Sequence, residues 1–234
     1  MVPWLWGIRP MPLLPTRKNR SATPLSLSRF LGCDTQSSML DSLRRELLAL
    51  RDNDLALREE LLAAGELSGP YHPRMEAIHV ENAARLREII ADYGWPGTDL
   101  AGADGAEAAW LIVQHSIGEP EFMRTALRLM EDCVEQGRVP AWHAAYLEDR
   151  IALYEARAQR FGTQTIDDPR DGLARPWTIA DPDRVNGLRA SVGLKPLPAI
   201  PPPGCDLAPE IRHQHESNQE WWLDWLASRG WRRH

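Results

Sequence analysis

The sequence has little cysteine: three residues in a chain of 234, at Cys33, Cys133 and Cys205. Their wide spacing and odd number exclude a disulfide framework and a CxxC metal knuckle, and they favour a reducing, cytoplasmic setting. The chain also has no run of roughly eighteen apolar residues, so we expect no membrane-spanning helix. It lacks a GxSxG elbow and a GxxxxGKS/T phosphate loop, which leaves nucleophilic and nucleotide chemistry without a motif.

Positive charge is scarce outside the N-terminal segment. The whole chain has a formal charge of −6, and residues 1–38 carry five Lys or Arg and one Asp, a net +4, so the remainder carries −10. An acidic body cannot replace the counterions of a phosphate backbone, and we therefore expect no nucleic-acid partner. The apolar content of 43% and charged content of 26% are ordinary for a globular protein with a buried core.

The composition divides the chain into three parts. Residues 1–38 have no helical period and are cut by prolines, so we interpret them as a disordered leader. Two alternatives stay open for this segment: translation could start at Met39, or the segment could be a targeting sequence. Residues 39–198 are expected to form a helical domain with a hairpin, and residues 199–234 a proline-rich spacer and a Trp-rich terminal helix.

Apolar residues recur every three or four positions in five segments between Leu40 and Tyr154, which predicts five helices. The stripe of the first helix is interrupted once, at Asp54. After the fifth helix, QRFGTQTI and ARPWTI flank a turn-rich DDPRDG and predict a short β-hairpin. The predicted fold is mainly α: a compact helical bundle with one small β-hairpin and a C-terminal helix after a proline-rich spacer.

Several polar residues fall on the inward faces of these helices. An unpaired buried polar group costs on the order of 1–3 kcal/mol, so such residues need partners. We expect them to meet in one polar pocket inside the bundle, as facing helices build sites in other bundles. The residues concerned are His79 and Asn82 on the second helix, Gln114 and His115 at the end of the third, and Asp149 and Arg150 on the fifth.

Within this pocket we assign catalytic roles to His115 and Asp149. His115 is the candidate general acid or base, and Asp149 would orient the imidazole of His115 or His79. The alternatives also stay open: His115 could cap the C-terminus of its helix, and Asp149 could form a structural salt bridge with Arg150.

The remaining candidate residues would bind a small ligand. The guanidinium of Arg150 suits a carboxylate or phosphate, so a small anionic ligand is expected. Thr163 and Gln164 on the hairpin would close the mouth of the pocket, and Gln114 and His79 would complete its lining. We predict no metal site: Glu76 and His79 have the Glu-x-x-His spacing of half a di-iron carboxylate site, but the sequence has no His-Glu-x-x-His motif. The cofactor is left open.

The C-terminal helix carries Trp221, Trp222 and Trp225 in an apolar patch. The patch could dock onto the same chain, or it could form a partner or self-association surface. Anchoring at a membrane interface is a third possibility, although acidic residues flank the patch.

Three sequence blocks, AAWLIVQHS, YLEDR and FGTQ, resemble an uncharacterised bacterial family of unknown function. Further shared elements are Trp95-Pro96, Asp181-Pro182, Arg189 and Gly193-Leu194. The resemblance covers roughly Leu40 to Leu197 and excludes the leader and the Trp-rich tail. It implies a shared fold and a shared site, and it supplies no activity.

Two hypotheses for the function therefore stand side by side. The first is a small-ligand-binding enzyme with a His/Asp/Arg polar pocket inside a helical bundle. The second is a non-enzymatic protein-interaction module whose buried polar residues are structural.

Overall fold

The computed structural model describes residues 33–67, 71–168, 170–197, 199 and 204–232. These residues form seven helices and one two-stranded sheet, which confirms the predicted mainly α fold. The helices are α1 (Cys33–Ala63), α2 (Pro73–Tyr93), α3 (Thr98–His115), α4 (Pro120–Glu135), α5 (Ala141–Tyr154), α6 (Val185–Ser191) and α7 (Pro209–Ser228). The predicted leader comprises residues 1–38; residues 1–32 lie outside the described residues, and residues 33–38 belong to α1 instead of the leader. Prolines 201–203 of the spacer also lie outside the described residues.

The long helix α1 supplies one wall of the bundle. Its leucines at heptad-like spacing face inward, and Leu47 and Leu61 are fully buried. Asp54 lies in the same stripe and is 1% exposed. The interruption of the apolar pattern at this position therefore corresponds to a buried carboxylate.

The sequence predicts the second helix from about Pro73 to Tyr93, and α2 has these bounds. Pro73 occupies its first turn, where the missing N–H of proline removes no helical hydrogen bond. The Nδ1 atom of His72 caps the start by accepting a hydrogen bond from the backbone N–H of Arg74, at 3.2 Å. Gly94, with a positive φ of 76°, ends the helix. The predicted inward face is buried from Met75 to Ile89, including His79 and Asn82, but Tyr93 at its end is exposed.

The third helix lies at the centre of the bundle. It contains one non-helical residue, Gly102, whose φ of 68° is easily adopted only by glycine. After this kink the helix is buried around most of its circumference up to His115. Because α3 packs against α1, α2, α4 and α5, its last residues face several neighbouring helices.

The predicted β-hairpin is present after α5. Strand β1 (Thr165–Asp167) pairs antiparallel with β2 (Ala174–Pro176), and Thr165 lies opposite Pro176. The loop between α5 and β1 folds back onto α5, where backbone N–H groups of the loop contact the carboxylate of Asp149.

The C-terminal helix α7 packs against the rest of the chain. Trp225, Leu226 and Trp231 join the main apolar core, and the indole N–H of Trp231 donates to the carbonyl of Ile117 at 2.7 Å. Trp221 and Trp222 are partly buried against the same core. None of the helices within the described residues is both long and apolar enough to cross a membrane.

Candidate functional site

The carboxylate of Asp54 lies between two imidazoles from two other helices. Nδ1–H of His115, at the end of α3, donates to Oδ2 of Asp54 at 2.6 Å. Nε2–H of His79, in the middle of α2, donates to Oδ1 at 3.1 Å. The two imidazole rings are 5.0 Å apart between centroids. Asp54, His79 and His115, here called the histidine cluster, are all buried.

Protonation in the histidine cluster follows from burial and from these contacts. Burial alone would raise the pKa of Asp54, but attraction to His115 and hydrogen bonds from both imidazoles hold the pKa well below its usual range. Burial lowers the pKa of His79 despite its hydrogen bond to Asp54, so this imidazole is neutral. The cluster thus presents an ionised carboxylate in an interior of low polarity.

The outer side of His79 is bonded to Tyr71. The hydroxyl of Tyr71 donates to Nδ1 of His79, and burial raises the pKa of this phenol, so it keeps its proton. Tyr71 in turn meets the edge of the Trp225 ring from α7, with 5.3 Å between centroids. The orientation of His79 is therefore held from both nitrogens.

The end of α3 has two polar groups without partners. Nε2 of His115 forms no hydrogen bond with any described residue, because the ring bonds through Nδ1 only. The side-chain amide of Gln114 is buried, and neither its oxygen nor its nitrogen has a partner among the described residues. Nε2 of His115 is not fully buried, so solvent can reach it. Buried polar groups are nearly always hydrogen-bonded, so the amide of Gln114 is the group that needs an explanation.

Asp149, in contrast, is completely bonded within its own region. Its carboxylate accepts hydrogen bonds from the backbone N–H groups of Arg160, Phe161 and Thr163 and from the hydroxyl of Thr163, at 2.7–3.1 Å. The prediction that Asp149 orients His115 is corrected here, since the carboxylate that bonds His115 is Asp54. The role of Asp149 in this geometry is to hold the loop after α5.

Arg150 links the loop to the end of α3. Its Nη1 donates to the backbone carbonyl of Gln114 at 2.9 Å, and its Nε donates to Oε1 of Gln164 at 3.2 Å. The amide nitrogen of Gln164 donates to the hydroxyl of Thr163 at 3.0 Å. Of the predicted ligand-binding residues, Gln114, Arg150, Gln164 and Thr163 are thus connected, and His79 lies in the separate histidine cluster.

Sequence reasoning missed Gln159, which is 0% exposed. Its amide donates to the carbonyls of Gln164 and Trp177 and accepts from the backbone N–H of Gln164. The loop position of Gln159 offered no periodic pattern from which burial could be inferred. With Asp149, Thr163, Gln164 and Arg150 it forms what we call the loop network.

Two further buried polar residues have simple structural surroundings. The amide of Asn82 donates to the carbonyl of Leu50 at 3.2 Å and joins α2 to α1. His143 stacks on Trp110 with 4.8 Å between ring centroids, and its Nδ1 has no partner among the described residues. Burial lowers the pKa of His143 to about 3, so it is neutral at physiological pH.

The fold and these contacts define a mainly α protein with an Asp–His–His cluster buried where three helices meet. The chain belongs to the family of unknown function DUF6624, whose sequence profile matches residues 41–200. The histidine cluster and the loop network both lie inside this matched segment, and α7 follows it. No curated protein and no solved structure gives a significant match to the chain.

Proposed function

We propose that this chain is a small-ligand-binding enzyme whose ligand lies beside the end of α3. One observation carries the proposal: the buried amide of Gln114 has no partner among the described residues, and Nε2 of the adjacent His115, which solvent can reach, has none there either. A bound ligand with polar groups would satisfy both.

His115 is the residue proposed to act on the ligand. Its Nδ1 is held by the carboxylate of Asp54, which fixes the ring and its tautomer and leaves Nε2 able to accept a proton. The assignment of His115 as general acid or base is therefore kept, and the orienting carboxylate becomes Asp54 instead of Asp149.

Arg150 supports a ligand that carries negative charge. It is 7% exposed, and it forms no ion pair with any residue in the described ranges. A buried guanidinium without an acidic partner is suited to hold a carboxylate or phosphate group. Gln164 and Thr163 would position this guanidinium rather than contact the ligand, because their polar groups are already bonded within the loop network.

A second candidate function is a non-enzymatic interaction module whose buried polar residues are structural. The observation in its favour is the complete bonding of Asp149, which supports a structural role for this buried charge in holding the loop after α5. In that case Trp221 and Trp222, which are only partly buried, would contribute to a protein partner or self-association surface.

The cellular setting is part of the proposal. The cysteines whose side chains the structure describes are unpaired, with Cys133 buried and Cys205 exposed. Unpaired thiols are usual in a reducing compartment, so we propose a cytoplasmic protein, of bacterial origin as the sequence resemblance implies.

The test is thermal unfolding of the full chain with inorganic phosphate, sulfate, acetate and succinate as probes. A ligand that binds only the folded state must raise the melting temperature. We expect at least one of these anions to do so in the wild-type chain, and the shift to disappear in Gln114→Met and His115→Gln.

Gln219→Met is the matched control, because Gln219 is exposed on α7 and its substitution should leave the shift unchanged. The proposal is wrong if none of the four anions shifts the wild-type melting temperature. It is equally wrong if the two site variants respond as the control does, because binding then occurs elsewhere.

A further inference from the structure

We propose that Asp54, His79 and His115 bind one divalent transition-metal ion where α1, α2 and α3 meet. This inference rests on the proposed function, since it names a cofactor for the same site. It departs from the sequence-based expectation of no metal site, because the sequence pattern does not reveal that Asp54 meets the two histidines.

The three side chains already have nearly the spacing that an ion requires. One potential ligand atom from each residue lies within 4.8 Å of the others. Metal bonds to imidazole nitrogen and carboxylate oxygen measure about 2.0–2.2 Å, so bound ligand atoms lie on the order of 3 Å apart. Small rotations of the three side chains would replace their mutual hydrogen bonds by bonds to one central ion.

The surroundings of His79 match those of a metal-binding histidine. Such a histidine usually has its second nitrogen hydrogen-bonded, which fixes the ring and its tautomer. In His79, Nε2 faces Asp54 and Nδ1 is bonded to the hydroxyl of Tyr71. With an ion on Nε2, the Nδ1–H group would donate to the same phenol oxygen of Tyr71.

The charge of the cluster also favours a cation. Asp54 is a buried carboxylate, and among the described residues its ion-pair partners are two imidazoles, with no Lys or Arg. A buried charge is stabilised when it is paired or bound to a metal. Asp149 differs from Asp54: four donors from the loop after α5 surround its carboxylate, and none of them is a histidine.

The ligand set restricts the choice of ion. Two imidazoles and one carboxylate suit Zn²⁺, Fe²⁺, Co²⁺ or Ni²⁺, and the absence of a thiolate in the set disfavours Cu⁺. Three protein ligands leave at least one position for water or a ligand atom. An ion held here would polarise a bound water or an anionic group of the ligand beside the end of α3.

The experiment uses the full chain, first freed of metal with a chelator and then titrated with Co²⁺ and Zn²⁺. We expect about one ion per chain, a rise in melting temperature, and visible Co²⁺ absorption of a site with nitrogen and oxygen ligands. Proton NMR of the Co²⁺ form should show two exchangeable, strongly shifted imidazole N–H signals, one from each histidine.

Variants locate the ion. His79→Gln, His115→Gln and Asp54→Asn should each weaken Co²⁺ binding at least about 100-fold. His143→Gln is the buried control, and the double variant His213→Gln with His215→Gln is the α7 control; both should bind as the wild type does.

The inference is overturned if the wild-type chain binds no ion, or if the three site variants bind Co²⁺ like the controls. Should those variants fail to fold, the wild-type NMR spectrum decides, because Co²⁺ binding without two shifted imidazole signals also overturns it. Repeating the anion experiment on metal-free protein separates the two proposals. An anion shift that needs His115 but no metal leaves the proposed function standing alone, and metal binding without any anion shift leaves only the metal site.

Discussion

Asp54 and Asp149 are both aspartates that interrupt the apolar stripe of a helix, and both are almost completely buried. The carboxylate of Asp149 is surrounded by four donors from one neighbouring loop. The carboxylate of Asp54 is bonded by two histidines from two other helices, and one of these rings has a nitrogen without a described partner. A buried charge with complete local bonding holds the fold, whereas a cluster with unused groups can bind something else.

The same contrast separates two buried glutamines. Gln159 in the loop network uses its amide oxygen once and its amide nitrogen twice. In Gln114, at the end of α3, neither the amide oxygen nor the amide nitrogen has a hydrogen-bond partner among the described residues. The histidine cluster and the end of α3 are thus polar and incompletely bonded, and the loop network is polar and closed. Asp149→Asn, Gln159→Met and Gln114→Met test this difference, and His143→Leu tests a buried imidazole that belongs to neither group.

Asp149→Asn should destabilise the chain by about 4 kcal/mol. The new NH₂ group must face backbone N–H groups that need an acceptor, and the charge-assisted hydrogen bonds are lost. Urea unfolding at pH 7 measures the change. Asp92→Asn on the exposed face of α2 is the control and should stay within about 0.5 kcal/mol of wild type. If Asp149→Asn lowers the free energy of unfolding no more than Asp92→Asn does, the loop network does not stabilise the fold.

Gln159→Met should destabilise the chain by about 3 kcal/mol, because it leaves the backbone N–H of Gln164 and the carbonyl of Trp177 without their present partner and removes one of two donors to the carbonyl of Gln164. The same urea experiment measures it, with the exposed Gln219→Met as the control. If Gln159→Met is as stable as Gln219→Met, the hydrogen bonds of Gln159 do not stabilise the loop network.

His143 should make stability depend on pH. Its pKa is about 3 in the folded chain and about 6.5 in the unfolded chain, so the unfolded state takes up a proton first as the pH falls. Stability is therefore lost progressively below about pH 6.5, down to pH 3. Between pH 7.5 and pH 5, at about 1.4 kcal/mol per pKa unit, the loss assigned to His143 is about 2 kcal/mol.

His143→Leu should remove that part of the pH dependence. Urea unfolding at the two pH values, for wild type and variant, gives the difference directly. Trp110 and Trp142 enclose the imidazole, so no acid or base side chain replaces its titration. Equal losses in both proteins would show that His143 takes up a proton without unfolding.

Gln114→Met should have the smallest effect and the opposite sign, a stabilisation of about 1 kcal/mol. It replaces a buried amide without partners by an apolar side chain of similar shape, and so removes an unsatisfied polar group. Thermal and urea unfolding without added ligand measure it. Destabilisation instead would mean that the amide has a structural partner, and the case for a ligand at this position would be lost.

The sequence predicted a good part of the fold and a smaller part of the site. The bounds of α2 agree with the prediction, and so does the position of the hairpin. The polar residues expected inside, among them His79, Gln114 and Asp149, are buried. Their partners were predicted less well, since His115 meets Asp54 and Asp149 meets the loop after α5. Tyr71 and Gln159 lie outside regular helical patterns, so periodicity could not reveal them.

The sequence by itself determined which residues form helices and which face of each helix turns inward, because helical periodicity places side chains on faces whatever the neighbour is. It also placed Asp54 at the break in its leucine stripe. Only the tertiary structure decided which inward-facing groups meet. Asp54 and His115 are 61 positions apart, and their contact depends on the height and rotation of α1 against α3, which the packing of the whole core sets.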